Sequence, residues 1–405
     1  ERFEQVIDLD PKHVQALAAL RKIAVDEADW ERAAGYLEQE QTYTEAPRAR
    51  GRLLVELGRL RDEMLGEHEL AVQAYELALQ SDPENEDAAL PLVNEYVGQE
   101  RWNDARPLAE LLVKKSRNRE RAEQQGLNKL LGRVESALGN HDAALKAYTT
   151  AHQLDLTDQE AIRGIADVAY SLQDWATALT NYQKVLTSLD EGDIEQRTDV
   201  YYRLGCIKRE QGQARQAINN FEKALGLNGE HRPTLDALVA IYESNNDWKQ
   251  VCAYKRQILD SVFDGAQRFE ILVEISDVWS EKEKNWQKAI EALEEALELK
   301  PDSHIVLHKV LALYSQASEW NKMVETLQTL ADMETKIDAK AKYIFTQAQL
   351  FRDKLGDEDR AVELFNDALD LDPGRLDAFE RINKILNKEK NWKQLERSYR
   401  KMLHR

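Results

Sequence analysis

Ala71-Val72-Gln73-Ala74-Tyr75-Glu76-Leu77-Ala78-Leu79-Gln80-Ser81-Asp82-Pro83 is the stretch whose reading decides the fold. The small, large and small side chains of Ala71, Tyr75 and Ala78 are spaced four and three apart, so they share one face of a helix. Alanine lets a neighbouring helix come close, and the ring fills the gap beside it. Pro83 then ends the run. The same cassette returns as Ala144, Tyr148 and Ala151, as Ala217, Phe221 and Ala224, as Ala289, Leu293 and Ala296, and as Ala361, Phe365 and Ala368. Its steps are 73, 73, 72 and 72 residues. A breaker follows at Gly229, Pro301 and Pro373, with Leu156 as the exception.

A second series is interleaved with the first. Trp30, Trp102, Trp175, Trp248, Trp320 and Trp392 follow one another at 72, 73, 73, 72 and 72. Apolar positions between these markers are three or four apart, which is the spacing of helices and not of strands. Asp10–Pro11, Asp82–Pro83 and Asp372–Pro373 suit helix starts, with Asp as a cap and Pro where no donor is needed. Each unit therefore reads as helix, short turn, helix. Pro91 falls inside a predicted first helix and should kink it.

A unit near 34 residues with these positions resembles the tetratricopeptide repeat. The Leu–Gly step of that pattern appears at Leu57–Gly58, Leu131–Gly132 and Leu204–Gly205, and its Tyr step at Tyr96, Tyr242 and Tyr314. Two kinds of unit alternate, five with the alanine cassette and six with the periodic Trp. Three to five extra residues after each Trp unit, as around Asp190 to Asp199, bring the true period near 72. The resemblance implies an all-α fold, a right-handed superhelix of stacked antiparallel helix pairs in one continuous array over 1–405. The expected units are a half unit 1–12, then 13–47, 48–84, 85–118, 119–157, 158–191, 192–230, 231–264, 265–302, 303–336, 337–374 and 375–405. The chain starts inside a predicted helix and ends without a polar capping helix, so a piece of a longer protein is the expectation. The Trp series and the first-position alanines are read as packing residues.

Composition narrows the functional classes. Hydrophobic residues are 42% and charged residues 32%, a globular mix, and 17 Gly with 8 Pro leave no flexible linker. The formal net charge of −19 repels nucleic acid on average, so RNA binding is the weaker reading. Cys206 and Cys252 make no disulfide framework and suit a reducing, cytoplasmic setting. No apolar run is long enough to span a bilayer, and no signal peptide is visible. His304 and His308 could share a helix face, yet without a third ligand they read as a surface pair. No phosphate loop or nucleophile elbow is present, so neither cofactor nor catalysis is expected.

What remains is a scaffold that binds a peptide or folded protein. In this family the first helix of each unit lines the inner groove, which the resemblance makes the candidate site. Counting outward from packing positions such as Leu92, Leu131, Ile165 and Leu238 puts Lys129, Arg133, Arg163, Tyr202, Arg203 and Arg209 on that face. A run of cations in an acidic chain would favour a partner with an acidic segment. Lys129 matches one position of the family's carboxylate clamp, but Arg133 stands where Asn is expected, which puts a clamp in doubt. The alternative is that the array recruits substrate for, or regulates, a larger enzyme.

Overall fold

The computed structural model of the protein describes residues 2–405, and among them there is no strand. The chain forms two compact units, Glu1–Gln211 and Gly212–Arg405, divided in the turn inside the expected repeat 192–230. In the first unit α1 (Arg2–Leu9) precedes α2 (Val14–Asp26), α3 (Trp30–Tyr43), α4 (Pro47–Leu60) and α5 (His68–Ser81). It continues through α6 (Glu86–Gly98), α7 (Trp102–Lys115), α8 (Arg121–Ala137) and α9 (His141–Leu154). It closes with α10 (Gln159–Ser171), α11 (Trp175–Ser188) and α12 (Ile194–Glu210). The second unit opens with α13 (Ala214–Leu227), α14 (Arg232–Ser244), α15 (Trp248–Ser261) and α16 (Gly265–Asp277). Then come α17 (Trp286–Leu299), α18 (His304–Ala317), α19 (Trp320–Met333) and α20 (Ile337–Leu350). The last three are α21 (Glu358–Leu371), α22 (Leu376–Lys388) and α23 (Trp392–His404). Within each unit every helix packs on its chain neighbours, as expected of stacked pairs.

The cassette residues are buried throughout: Ala71, Ala144, Ala217, Ala289 and Ala361, each with its large partner. Tyr148 shows why the partner helices need small residues. Its ring lies between Gly132 of α8 and Gly164 of α10, where an added methyl would meet ring atoms at 2.9 and 2.6 Å. Gly58 faces the Tyr75 ring in the same way at 2.6 Å. The corresponding first-helix positions are all buried and small: Gly58, Gly132, Gly205, Ser276 and Ala348. Tyrosines at the next step tie helices together, with the Tyr96 hydroxyl donating to Glu76 at 2.8 Å and the Tyr314 hydroxyl to Glu294 at 2.7 Å.

The turn between paired helices follows one design. In the Trp units the left-handed residue is Ala28, Glu100, Gln173, Asn246, Ser318 or Lys390, two places before each Trp, with φ between 56° and 61°. At the first of them the Asp29 N–H reaches the Ala24 carbonyl at 2.9 Å and the Ala28 N–H reaches Val25 at 3.1 Å, a Schellman ending. Asp29 then caps α3 by accepting from the Arg32 N–H at 3.1 Å, so one residue serves both helices. Asp174 and Asp247 repeat the double role. The Asp–Pro pairs do something else than expected. Asp82 ends α5, and its carbonyl accepts from Asn85, which is the residue that caps α6. The proline fills the turn, not the first helical turn.

The extra residues of the long period lie in helix, not in a linker. α8 and α12 are 17 residues long, whereas the first helices of five of the six Trp units have 13. After α4, α16 and α20 a π turn follows at Arg61–Leu65, Val278–Lys282 and Phe351–Leu355. In these three units the left-handed residue (Gly66, Lys284, Gly356) comes eight residues after the small position; in the other two (Gly139, Gly212) it comes seven after. The cassette alanine then follows five later in all five units. The π turn absorbs one inserted residue and leaves the downstream register intact. Pro91 lies within α6 as expected, and Pro107 lies within α7 as well.

The Trp series sits at the first position of each second helix. Trp30, Trp102, Trp175, Trp248 and Trp320 are half-buried, and Trp392 is 61% exposed. Trp175 meets the Tyr170 ring edge-on at 5.4 Å.

Two outcomes follow. Gly164→Ala should lower stability by about 1–3 kcal/mol through overpacking against Tyr148, read as a reduced urea midpoint; an unchanged midpoint would mean the ring has room to move. At the turns, Gly139→Ala should cost about 1 kcal/mol and Gln173→Gly should raise stability, because only the latter removes a side chain from a left-handed residue. Opposite signs in thermal melts are the check.

Candidate functional site

The first helices of the first unit line a groove of about 710 Å³. Its apolar floor comes from Tyr75, Leu90, Pro91, Leu112, Leu127 and Leu130. Gly126 of α8 opens onto it with no atom within 4 Å of where a side chain would start. Arg59, Arg119, Lys129 and Arg133 stand on the rim with Asp62, Glu63, Glu86, Asp87, Glu123 and Glu160. Both signs are therefore present around an apolar centre, the usual make-up of a recognition surface.

The expected cations are present, but their charges are already engaged. Lys129 binds Asp158 and Glu160, each at 2.9 Å, and Arg133 binds Glu160 at 2.6 Å. Burial works against the Lys129 ammonium, and its hydrogen bonds to Glu160 and Asp158 outweigh this and raise its pKa. Arg163 pairs with Asp199 on α12, and Arg203 lies 3.7 Å from the same carboxylate. Arg203 also covers the Tyr170 ring at 5.1 Å. Beneath them the Tyr182 hydroxyl donates to Asp167 at 2.5 Å, while burial pushes that carboxyl up. Burial, with Cys206 beside it, pushes the Tyr202 hydroxyl up to about 12. Arg209 pairs with its neighbour Glu210 at 3.2 Å. Only Lys129 and Arg133 of the six line the groove. Arg163 and Arg203 instead join α10 to α12.

Such bridges between successive first helices recur. Arg21 of α2 meets Glu56 of α4, and Arg59 of α4 meets Asp87 of α6 at 2.9 Å. Counting along one helix face finds the cations but not the carboxylates, because those belong to the next unit. The apolar floor was also missed, although Pro91 and the exposed mid-helix Gly126 mark it in the sequence.

His68, at the start of α5, bridges Asp62 of the groove rim and Glu95 of α6. Its Nδ1 is 3.0 Å from Asp62 and its Nε2 is 2.9 Å from Glu95. The bonds to Asp62 and then Glu95 raise its pKa above the ordinary value. Stabilisation from this raised group is fully present below the unfolded value of about 6.5 and fades as pH rises through the higher folded value. The melting-temperature gap between the native chain and His68→Gln should therefore shrink above that pH. A gap that widens there would contradict the pairing.

Other groups carry little chemistry. Cys206 and Cys252 are free and buried. Burial pushes the Cys252 thiol up to about 11, so it stays protonated at neutral pH. The His308 ring nitrogen lies 3.2 Å from the Tyr343 hydroxyl. Among the described residues no group of three or more potential ligands is placed to hold a metal, and no helix is long and apolar enough to cross a membrane.

Comparison with known proteins agrees with this architecture. A family model described as tetratricopeptide repeat matches residues 51–85, 198–231 and 341–375, and a second with that description matches 129–193. Among solved structures, YrrB, a tetratricopeptide-repeat protein with an unusual peptide-binding site, is 18% identical with a TM-score of 0.36, covering 50% of this chain and 98% of its own. The Naa15/Naa10 complex bound to HypK-THB is 16% identical with a TM-score of 0.46, covering 99% of this chain and 59% of that one. MamA is 24% identical with a TM-score of 0.34, covering 42% and 93%. No curated protein matches the sequence. With matched repeats in both units and helix pairs throughout, the chain carries tetratricopeptide repeats.

Proposed function

We propose that the chain is a protein–protein interaction scaffold, and that the groove over α4, α6, α8 and α10 takes a peptide segment of its partner. The groove itself is the observation that supports this. It has the volume of a few side chains, an apolar floor around Leu90 and Leu130, and hydrogen-bonding groups of both signs on its rim. Tetratricopeptide repeats suit the role, since stacked helix pairs present a long ordered surface without needing a catalytic constellation.

The partner segment carries an apolar anchor with polar neighbours. A purely acidic segment would have to displace Asp158 and Glu160 from Lys129 and Arg133 to gain the same contacts, which favours a segment of mixed charge. Nucleic acid is the poorer occupant in a chain of charge −19. Two free, buried thiols suit a reducing compartment such as the cytoplasm.

Gly126→Trp tests the assignment. The new side chain would fill the groove from an open position, and loss of a mid-helix glycine should leave the fold as stable or more so, by up to about 1 kcal/mol. Partners captured by the native chain should be lost from this variant while its melting temperature holds. Full retention of those partners would remove the groove from the function.

A further inference from the structure

The second unit holds a different surface. Lys249 and Arg256 of α15 and Lys288 of α17 surround a cleft of about 340 Å³ floored by Cys252 and Trp279, with Glu291 as the carboxylate of its lining. Arg256 is held by Glu295 at 2.5 Å, but neither Lys249 nor Lys288 has a carboxylate partner among the described residues. The Lys288 ammonium rests on the Trp279 ring at 4.3 Å. Two lysines between Trp279 and Lys288 in sequence behave alike: Lys282 sits over Trp248 at 5.3 Å and Lys284 over Trp286 at 5.9 Å, again without an ion pair among the described residues. Glu281 and Glu283 interleave with these two in sequence; none of the four lines the cleft, and the Glu283 charge reaches Cys252 on its floor.

This departs from the groove of the first unit. In the first unit's groove Arg59, Lys129 and Arg133 are neutralised by carboxylates of the next repeat, and Arg119 by Glu86 and Glu123. Here, in a chain with 74 acidic and 55 basic residues, three lysines (Lys282, Lys284 and Lys288) lie over indole rings instead. A ring orients an ammonium without cancelling its charge, so these are ordered cations with their hydrogen bonds still to give. The lining carries three cations against one carboxylate, in a cleft sized for one or two side chains.

We propose that this cleft docks an acidic peptide segment of a partner protein, with carboxylates received by Lys249 and Lys288. The site is separate from the groove of the first unit and does not depend on it. Charge complementarity selects the carboxylate, and the geometry selects peptide over nucleic acid. Lys288 already occupies the face of Trp279, and that indole is only 9% exposed, so no open ring remains for a base to stack on. A long phosphate chain would also meet the repulsive field of a chain whose formal net charge is −19.

The test uses the full chain and a fluorescein-labelled peptide of alternating glutamate and leucine, followed by anisotropy at low salt. Binding should saturate, weaken with added salt, and fall by at least about tenfold in Lys249→Glu/Lys288→Glu. Lys249→Arg/Lys288→Arg, which keeps both charges, should bind within a few-fold of the native chain, and melting temperatures confirm that each variant is folded. The Gly126→Trp variant should bind the probe as the native chain does. No saturable binding, or binding indifferent to the charge reversal, overturns the proposal. Loss of the probe in Gly126→Trp would place it in the first unit and also overturns it, as does tighter binding of an oligouridylate of equal charge.

Discussion

One contact organises the fold: a large side chain of a second helix entering a slot made by small residues of the first helices on either side. Tyr148 between Gly132 and Gly164 is the tightest instance, where even a methyl has no place. Helices can approach this closely only if their facing positions are small, and they gain from doing so only if a ring fills what would be a void. That mutual requirement sets the pair spacing, and it explains why alanine, glycine and one serine recur where longer apolar residues would have buried more area. It also explains where the sequence tolerates change. The five residues from the left-handed turn to the cassette alanine never vary, whereas the stretch upstream takes an extra residue by relaxing into a π turn. Insertion is cheap where the helix is half-exposed and costly where the ring must meet its slot.

Charge is managed differently at the two surfaces, each taken by itself, although the second unit also has a first-helix bridge from Lys309 to Asp277. In the first, arginines and a lysine of one first helix reach carboxylates of the next, as Arg59 does Asp87 and Arg163 does Asp199. Exposed pairs of this kind contribute little stability each. Their larger effect is on recognition, since a ligand must compete with a carboxylate already in place. In the second unit, around α15 and α17, lysines lie on indole rings and keep their charge. The two surfaces thus suit partners of different chemistry, one anchored by apolar contact and one by carboxylates.

The repeat was legible because its markers are rare residue types at long, regular intervals, which chance does not maintain. The helix pairs, their all-α class and the cassette faces follow from spacing alone. Other features were open to misreading for definite reasons. An Asp–Pro pair carries the signature of a helix start, yet here Asp82 closes one helix and Asn85 caps the next. The Trp series was the clearest periodic signal, but its regularity reflects the turn that precedes it as much as burial, for five of the six are half-buried and Trp392 is largely exposed. The small positions Ser276 and Ala348 escaped notice because they are not glycine, so the Leu–Gly step that marks Gly58, Gly132 and Gly205 is absent there.

The amino-acid sequence determined the local structure of this protein: which residues are helical, where each helix turns back, and which face is apolar. These depend on interactions within about four residues or one turn, and each leaves its mark in spacing. The groove and the state of its charges were decided by tertiary structure. Lys129 and Asp158, or Arg163 and Asp199, are 29 and 36 residues apart and meet only because successive first helices stack side by side. A cation read along one helix looks free; once the next helix is packed against it, the carboxylate that neutralises it is already there.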